Sequence, residues 1–272
     1  MTHPPGPDKR RAAQTPGSAP DAMALPSVFA VAKMIDHSLL RPELTTETFQ
    51  AGCELAARYD TASVCVRPSD VAEAVAILTG TGILVGTVVG FPHGSATTTT
   101  KVAETRELIT TGAQEIDMVL HIGRLRSGQT TYVQDDIAAV VAAAQGRTVK
   151  VILENAYLDR DQKILGCRLA ETAGADFVKT STGFAGSGAT LVDIILMRSA
   201  VSDHVQVKAA GGVRSLDTLL SLLAAGATRF GATATATILD DLNTRHVEGR
   251  QGSGQSQDVA GTTVDDIARG DR

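Results

Sequence analysis

Residues 148–181 read TVKVILENAYLDRDQKILGCRLAETAGADFVKTS and hold one complete copy of the pattern that decides the fold. TVKVILE is a β-branched run of strand length. DQKILGCRLAETAG spaces its apolar residues at helical intervals. It ends on Gly174-Ala175, glycine being the residue best suited to the left-handed turn that closes a helix. DFVKTS is again a strand. Moving outward, the unit recurs at a period of roughly 23 to 33 residues. Strand runs begin at Met34 (MIDHSL), Ala62 (ASVCVR), Leu84 (LVGTVVGF), Glu115 (EIDMVL), Val205 (VQVKAA) and Thr228 (TRFGAT). Between them lie helical stretches such as TTETFQAGCELAARY, TKVAETRELITTG, DDIAAVVAAAQG, LVDIILMRSAV and SLDTLLSLLAAG, and the closing pair returns as Gly112-Ala113 and Gly226-Ala227. Strict alternation means parallel strands joined by right-handed crossovers. Eight units in about 220 residues are the count that closes an α/β fold of the (β/α)8 type, a TIM barrel of one domain. An open doubly wound sheet is the alternative, disfavoured because no strand leads into a GxGxxG turn.

The folded unit is expected over residues 25–243. Six of the nine prolines fall at or before Pro26, so residues 1–24 read as a disordered tail; their Lys9-Arg10-Arg11 run has no apolar segment behind it that would make a secretory signal. Residues 244–272, rich in Gly, Ser, Gln and Asp, read as a flexible C-terminal tail. Hydrophobic residues make up 43% of the 272, which excludes a mainly disordered chain. A net charge of −5, nine aromatic residues and no Trp leave neither the field nor the stacking surface for nucleic acid. No apolar run has the length of a membrane span. Cys53, Cys65 and Cys167 are odd in number and form no C-x-x-C pair, which argues against a disulfide framework and a zinc site and for a cytoplasmic setting.

Strands of a parallel barrel are buried on both faces and should be almost wholly apolar. Asp117, Lys150, Glu154, Lys179 and Lys208 break that rule. Side chains alternate along a strand, so Ile116 and Met118 facing the helices turn Asp117 inward, and Val205 and Val207 do the same for Lys208. Lys179 shares a face with Phe177 and Ser181. Removing an ion from water costs several kcal/mol unless it is paired. Lys150 and Glu154 fit a structural ion pair as readily as a functional one; the trio Asp117, Lys179 and Lys208 points to function. Of the 25 basic residues only seven are Lys, yet these strand cations are all Lys. Arg binds carboxylates better but cannot give up its proton, so what is retained is amine chemistry. Lys179 and Lys208 lie on consecutive strands, where each ammonium depresses the other's pKa. The result is an amine able to condense with a carbonyl, with Asp117 to shuttle protons.

Three loops after late strands are built of small residues: Thr180 to Gly188 with Thr182 and Gly183, then Gly211-Gly212-Val213-Arg214, then Gly231-Ala232-Thr233-Ala234. Small residues let backbone N–H groups approach an anion, and barrels commonly seat phosphate after strands seven and eight.

IDHSLLRP, SVCVRP, GFPHG, EIDMV, KVILE, GADFVKTSTGF and VKAAGGVR, in this order, resemble the motif series of the 2-deoxyribose-5-phosphate aldolase family, from about Ile35 to Leu239. The resemblance implies a class I aldolase on a (β/α)8 barrel, a lyase that reversibly splits 2-deoxy-D-ribose 5-phosphate into acetaldehyde and D-glyceraldehyde 3-phosphate. It implies phosphosugar and aldehyde substrates, no metal or other cofactor, and a homodimer. Carried over by motif, Lys179 forms the Schiff base, Lys208 lowers its pKa, and Asp117 joins the proton relay. Gly183, Gly211, Gly212, Gly231 and Thr233 surround the substrate and its phosphate; Cys65 and Thr182 line the pocket and Asp36 opens the first strand. Many members carry Ser-Ser where this chain has Thr233-Ala234, and the tyrosine that ends some members is replaced by Gly-Asp-Arg. Three other readings stay open. A Schiff-base barrel for a different phosphosugar and a non-catalytic phosphosugar-binding barrel are two. A metal-dependent aldolase is the third, disfavoured because the six histidines show no ligand spacing.

Overall fold

The structure is a computed structural model that describes residues 25–255. Eight parallel strands close in chain order: β1 (Ile35–Leu39), β2 (Ser63–Val66), β3 (Leu84–Val89), β4 (Glu115–Val119), β5 (Thr148–Ile152), β6 (Phe177–Lys179), β7 (Gln206–Ala210) and β8 (Arg229–Ala232). β8 pairs back onto β1, which completes the TIM barrel expected from the alternation. A short helix, α1 (Val28–Ala32), precedes β1. Around the barrel run α2 (Thr46–Arg58), α3 (Val71–Leu78), α4 (Thr98–Thr111), α5 (Ile122–Arg126), α6 (Thr130–Ala143), α7 (Arg160–Thr172), α8 (Leu191–Ala200), α9 (Leu216–Ala224) and α10 (Thr235–Gln255).

Local chemistry sets the helix ends. Thr45, Thr97, Thr190 and Ser215 each cap a helix by accepting a backbone N–H, and Asp159 with Gln162 forms a reciprocal capping box on α7. The glycines of the three Gly-Ala pairs all sit at positive φ (114° at Gly112, 85° at Gly174, 107° at Gly226). At Gly226 a Cβ would lie 2.8 Å from Arg198 Cγ, so the position excludes a side chain by packing as well as by backbone.

α10 corrects the expected boundary at residue 243. The helix continues to Gln255; within it Arg245 donates to Asp241 and Asp217, and His246 Nε2 donates to the Pro26 carbonyl at 3.0 Å. The contacts to Asp217 and Pro26 span the sequence, which local composition does not report. The expected tail 1–24, and residues 256–272 of the expected tail 244–272, lie outside the described residues.

Each strand divides the molecule into two environments. Outward residues such as Val64, Ile116, Met118, Val178 and Val207 are buried against Phe49, Leu108, Ile137 and Met197 of the helices. Inward, Asp36, Glu115, Asp117, Lys150, Lys179 and Lys208 are buried around the axis. Register aligns them: Asp117 pairs with Lys150, while Lys179, Lys208 and Arg229 lie at one level across β6, β7 and β8. Among the described residues no helix is long and apolar enough to cross a membrane.

Candidate active site

Asp117 is the middle residue of β4, and the pleat that packs Ile116 and Met118 outward aims it at the axis. Its Oδ2 accepts from Lys179 Nζ at 2.7 Å and from Lys208 Nζ at 2.6 Å, and its Oδ1 accepts from Lys150 Nζ at 2.9 Å. Lys208 also pairs with Asp36 Oδ2. Lys150 donates to Glu115 Oε2 at 2.7 Å and stands 3.7 Å from Asp36 Oδ2. Toward the N-terminal ends of the strands, Arg229 closes the network, with Nε 2.5 Å from Asp36 Oδ1 and Nη2 2.9 Å from both Glu115 oxygens. Four cations (Lys150, Lys179, Lys208, Arg229) thus face three carboxylates (Asp36, Glu115, Asp117).

Burial disfavours every charge here, and the number of partners decides each outcome. For Lys179, burial and the adjacent Lys208 ammonium outweigh the one carboxylate it touches, so its pKa lies below the ordinary lysine value. Burial presses on Lys208 in the same direction, but Asp117 and Asp36 together more than offset it, and its pKa rises. Lys150 is raised likewise against burial by Asp117, Asp36 and Glu115. Asp117 resists burial through its three ammonium partners and is held well below the usual carboxylate range. The expectation that the two lysines depress each other therefore fails on one side. Lys208 has two carboxylates and keeps its proton; Lys179 has one and is the group poised to lose it.

A cavity of about 120 Å³ opens above the cluster. On its floor and walls lie Lys179, Lys208, Asp36, Cys65 and Thr182. Gly183, Gly211, Gly212, Gly231 and Thr233 form its rim. Asp117 does not line the cavity; it sits beneath, reached only through the two lysines. The Cys65 thiol is pushed up to about 11, mainly by burial, which makes it a poor nucleophile. His93 lines a separate cavity of about 270 Å³ beside Phe184 rather than the first. Ala234 packs against the apolar core, whereas Thr233 faces the cavity.

One pairing read from the sequence does not form, while Lys179 does meet Asp117. Lys150 lies within β5, but the strand ends at Ile152 and Glu154 sits beyond it with left-handed backbone (φ 57°), so the shared strand face read from the sequence does not extend to Glu154. Lys150 instead meets its neighbours across strands. Glu154 accepts from the Thr182 hydroxyl, and from the Thr182 backbone N–H at 3.3 Å, so it braces the loop after β6. Sequence reasoning also missed Arg41 and Arg214, both on the cavity wall, and Arg229 and Glu115 below it. Arg214 had a signal in GGVR; Arg229 and Glu115 each open a strand and read as boundary residues.

The loops after β6 and β7 touch backbone to backbone. A Cβ on Gly188 would fall 2.2 Å from the Gly211 carbonyl oxygen, and the Ala189 N–H donates to that oxygen at 2.9 Å. Gly211 and Gly212 are left-handed, and α9 and α10 begin where the loops after β7 and β8 end. Backbone N–H groups and two helix N-termini gathered at one rim suit an anion. An amine with a lowered pKa at the floor suits a carbonyl carbon. Among the described residues no three His, Cys, Asp or Glu side chains are grouped as a metal ion requires.

Known proteins share this arrangement of chain. A deoxyribose-phosphate aldolase of Staphylococcus epidermidis is 52% identical over 211 residues, covering 78% of this chain and 96% of that protein. Deoxyribose-phosphate aldolase 2 of Staphylococcus aureus is 51% identical over a stretch of the same length. Among solved structures, a putative deoxyribose-phosphate aldolase from Coccidioides immitis superposes with a TM-score of 0.78 at 39% identity, covering 81% of this chain and 88% of that one. The tetrameric deoxyribose phosphate aldolase of Aeropyrum pernix gives 0.75 at 30% identity, covering 80% and 92%. Residues 30–243 match the family described as DeoC/LacD family aldolase, and the chain belongs to that family.

Proposed function

We propose that this chain is a deoxyribose-phosphate aldolase, splitting 2-deoxy-D-ribose 5-phosphate reversibly into acetaldehyde and D-glyceraldehyde 3-phosphate through a Schiff base on Lys179. The observation that carries the reading is one carboxylate, Asp117, bonded at 2.7 and 2.6 Å to two lysines of opposite pKa tendency on a cavity floor.

The neutral Lys179 amine attacks C1 of the open-chain sugar, forming a C–N bond, and the carbinolamine loses water to give an iminium. A base removes the proton of the C3 hydroxyl, the C2–C3 bond breaks, and its electron pair enters the iminium to leave an enamine. Glyceraldehyde 3-phosphate departs, C2 takes a proton, and water hydrolyses the new iminium to acetaldehyde and free amine. Each proton transfer requires a donor and an acceptor near Lys179 Nζ. Lys208, still protonated, and Asp117, bonded to both nitrogens, supply that pair without any rearrangement. Gly211, Gly212, Gly231 and Thr233, with Arg214, would hold the phosphate at the rim, and Thr182 and Gly183 would flank the sugar chain. Asp36 would fix Lys208, and Cys65 would shape the wall.

The test is reductive trapping. With acetaldehyde and borohydride, the peptide containing FVKTSTGF is expected to gain an N-ethyl group at Lys179. An unmodified peptide alongside trapping at Lys208 or Lys150 would overturn the assignment.

The same reading includes a homodimer in the cytoplasm. Leu191, Val192 and Ile195 leave α8 with exposed apolar side chains that suit burial against a second copy, and the three cysteines are unpaired. Sedimentation at a single subunit mass would remove the dimer.

A further inference from the structure

The interior cluster is unequal in charge, and the inequality has a traceable source. Lys150 touches three carboxylates, Lys208 two, Arg229 two and Lys179 one. Lys179 has no ion-pair partner to itself: Asp117 gives Oδ1 to Lys150 and shares Oδ2 with Lys208. Asp36 is divided among Arg229, Ser63, Lys208 and Lys150, and Glu115 between Arg229 and Lys150. The least-held cation bears the surplus.

We infer that Arg229 and Glu115 are positioning residues that set the protonation of Lys179 by charge stoichiometry, from outside the cavity lining and without touching substrate. The inference rests on the Schiff-base reading above. Arg229 brings the fourth cation and occupies carboxylate oxygens that would otherwise turn to the lysines. Removing it leaves three cations on three carboxylates and frees carboxylate oxygens to turn to the lysines, so Lys179, still buried beside Lys208, holds its proton more tightly. Removing the Glu115 charge does the reverse and leaves four cations on two. The groups that act on Lys179 are Asp117 on β4, Glu154 just beyond β5, Lys208 on β7 and Cys65 on β2, with Lys150 of β5 on the other oxygen of Asp117. Of these, Glu154 gives its oxygens to Thr182 and forms no ion pair with any cation of the cluster, and Cys65 is an un-ionised thiol at neutral pH, so the ion pairs close on three carboxylates.

Register supplies a magnitude. Lys179 and Arg229 lie at one level, two strands apart, which at about 4.8 Å per strand is roughly 10 Å between backbones. A unit charge at that distance, in the effective dielectric of buried sites, moves a pKa by about one unit.

The rate of acetaldehyde trapping at Lys179 by cyanoborohydride, measured against pH, reads the acid limb directly, because only the free amine reacts. Arg229→Gln is expected to move the midpoint up by about one pH unit, close to a tenfold loss of rate on the limb. Glu115→Gln is expected to move it down by a similar amount. The double variant restores one surplus cation and returns the midpoint to that of the unmodified protein, as does Arg229→Lys. A role confined to stability would lower the melting temperature of both single variants and leave all midpoints together, which overturns the inference. Should Arg229→Gln not fold, Glu115→Gln and the double variant decide it: equal midpoints in those two overturn it. Absence of trapping at Lys179 in the unmodified protein would instead defeat the Schiff-base reading itself, so the two failures are distinguishable.

Discussion

Two buried lysine–aspartate pairs stand side by side in this molecule. In the outer layer Lys101 of α4 meets Asp136 of α6 at 2.5 Å, both side chains fully buried. In the inner layer Lys179 meets Asp117 at 2.7 Å, equally buried. The outer pair is closed. Lys101 also donates to the Val119 carbonyl at 2.9 Å, Thr98 donates to the other oxygen of Asp136, and every strong group has its own partner. The inner pair is open, because three ammoniums compete for one carboxylate. Burial of a lysine is common to both and explains neither difference. Partner number does: one carboxylate per cation makes a brace, and fewer make an amine that can let its proton go.

The comparison is broken most sharply at the nucleophile. Lys179→Arg keeps the charge and loses the releasable proton, so turnover of deoxyribose 5-phosphate is expected to fall roughly 10⁴-fold or more. Retention of even a tenth of the activity would mean that charge, not amine chemistry, is required. Next in size is Asp117→Asn. It removes the carboxylate that bridges both lysines, and the expected loss in kcat is about 10²- to 10⁴-fold, the usual worth of positioned acid–base catalysis. Trapping at Lys179 should persist in that variant, which separates the relay from the nucleophile. A chain that no longer traps would place Asp117 in holding Lys179 rather than in moving protons.

The outer pair should answer differently. Lys101→Met leaves the Asp136 charge buried without its partner, and urea unfolding is expected to report a loss of about 3–5 kcal/mol. Adding Asp136→Leu should recover most of it, since a buried pair replaced by apolar groups is often close to neutral. Turnover per folded molecule should be unchanged in both variants. A fall in kcat that tracks neither unfolding nor aggregation would show that the two pairs are not separate in function.

How much of this was written in the chain follows from the same contrast. Asp117, Lys179 and Lys208 were legible because a parallel strand is apolar on both faces, so a charge within one stands out and period two gives its direction. The eight units and their Gly-Ala closures were legible because they are local. Cross-strand partnership was not. Lys150 bonds Asp117 because β4 and β5 pair in that register, and register is a property of two strands rather than one. Arg229 was hidden because it follows the turn after α9 directly, where an arginine reads as a solvated boundary residue. The run of α10 past residue 243 was hidden because Asp217 and Pro26, which meet Arg245 and His246, are far away in sequence.

The smallest effect is expected at the rim, and it tests whether a neighbouring pair of residues divides along the same two layers. At this rim the chain has Thr233 and Ala234. Thr233 borders the cavity, while Ala234 packs into the layer between barrel and helices. A hydroxyl added by Ala234→Ser would therefore point toward apolar neighbours rather than toward a phosphate. The expected change in KM for deoxyribose 5-phosphate is less than about twofold, with a stability loss of roughly 1 kcal/mol from burying an alcohol. Thr233→Ala should raise KM about three- to tenfold, the net worth of one hydrogen bond to the substrate, and leave kcat nearly unaltered. If Ala234→Ser instead tightened binding several-fold, the outer layer would reach the site at this point, and the division between bracing and reacting residues would not extend to the rim.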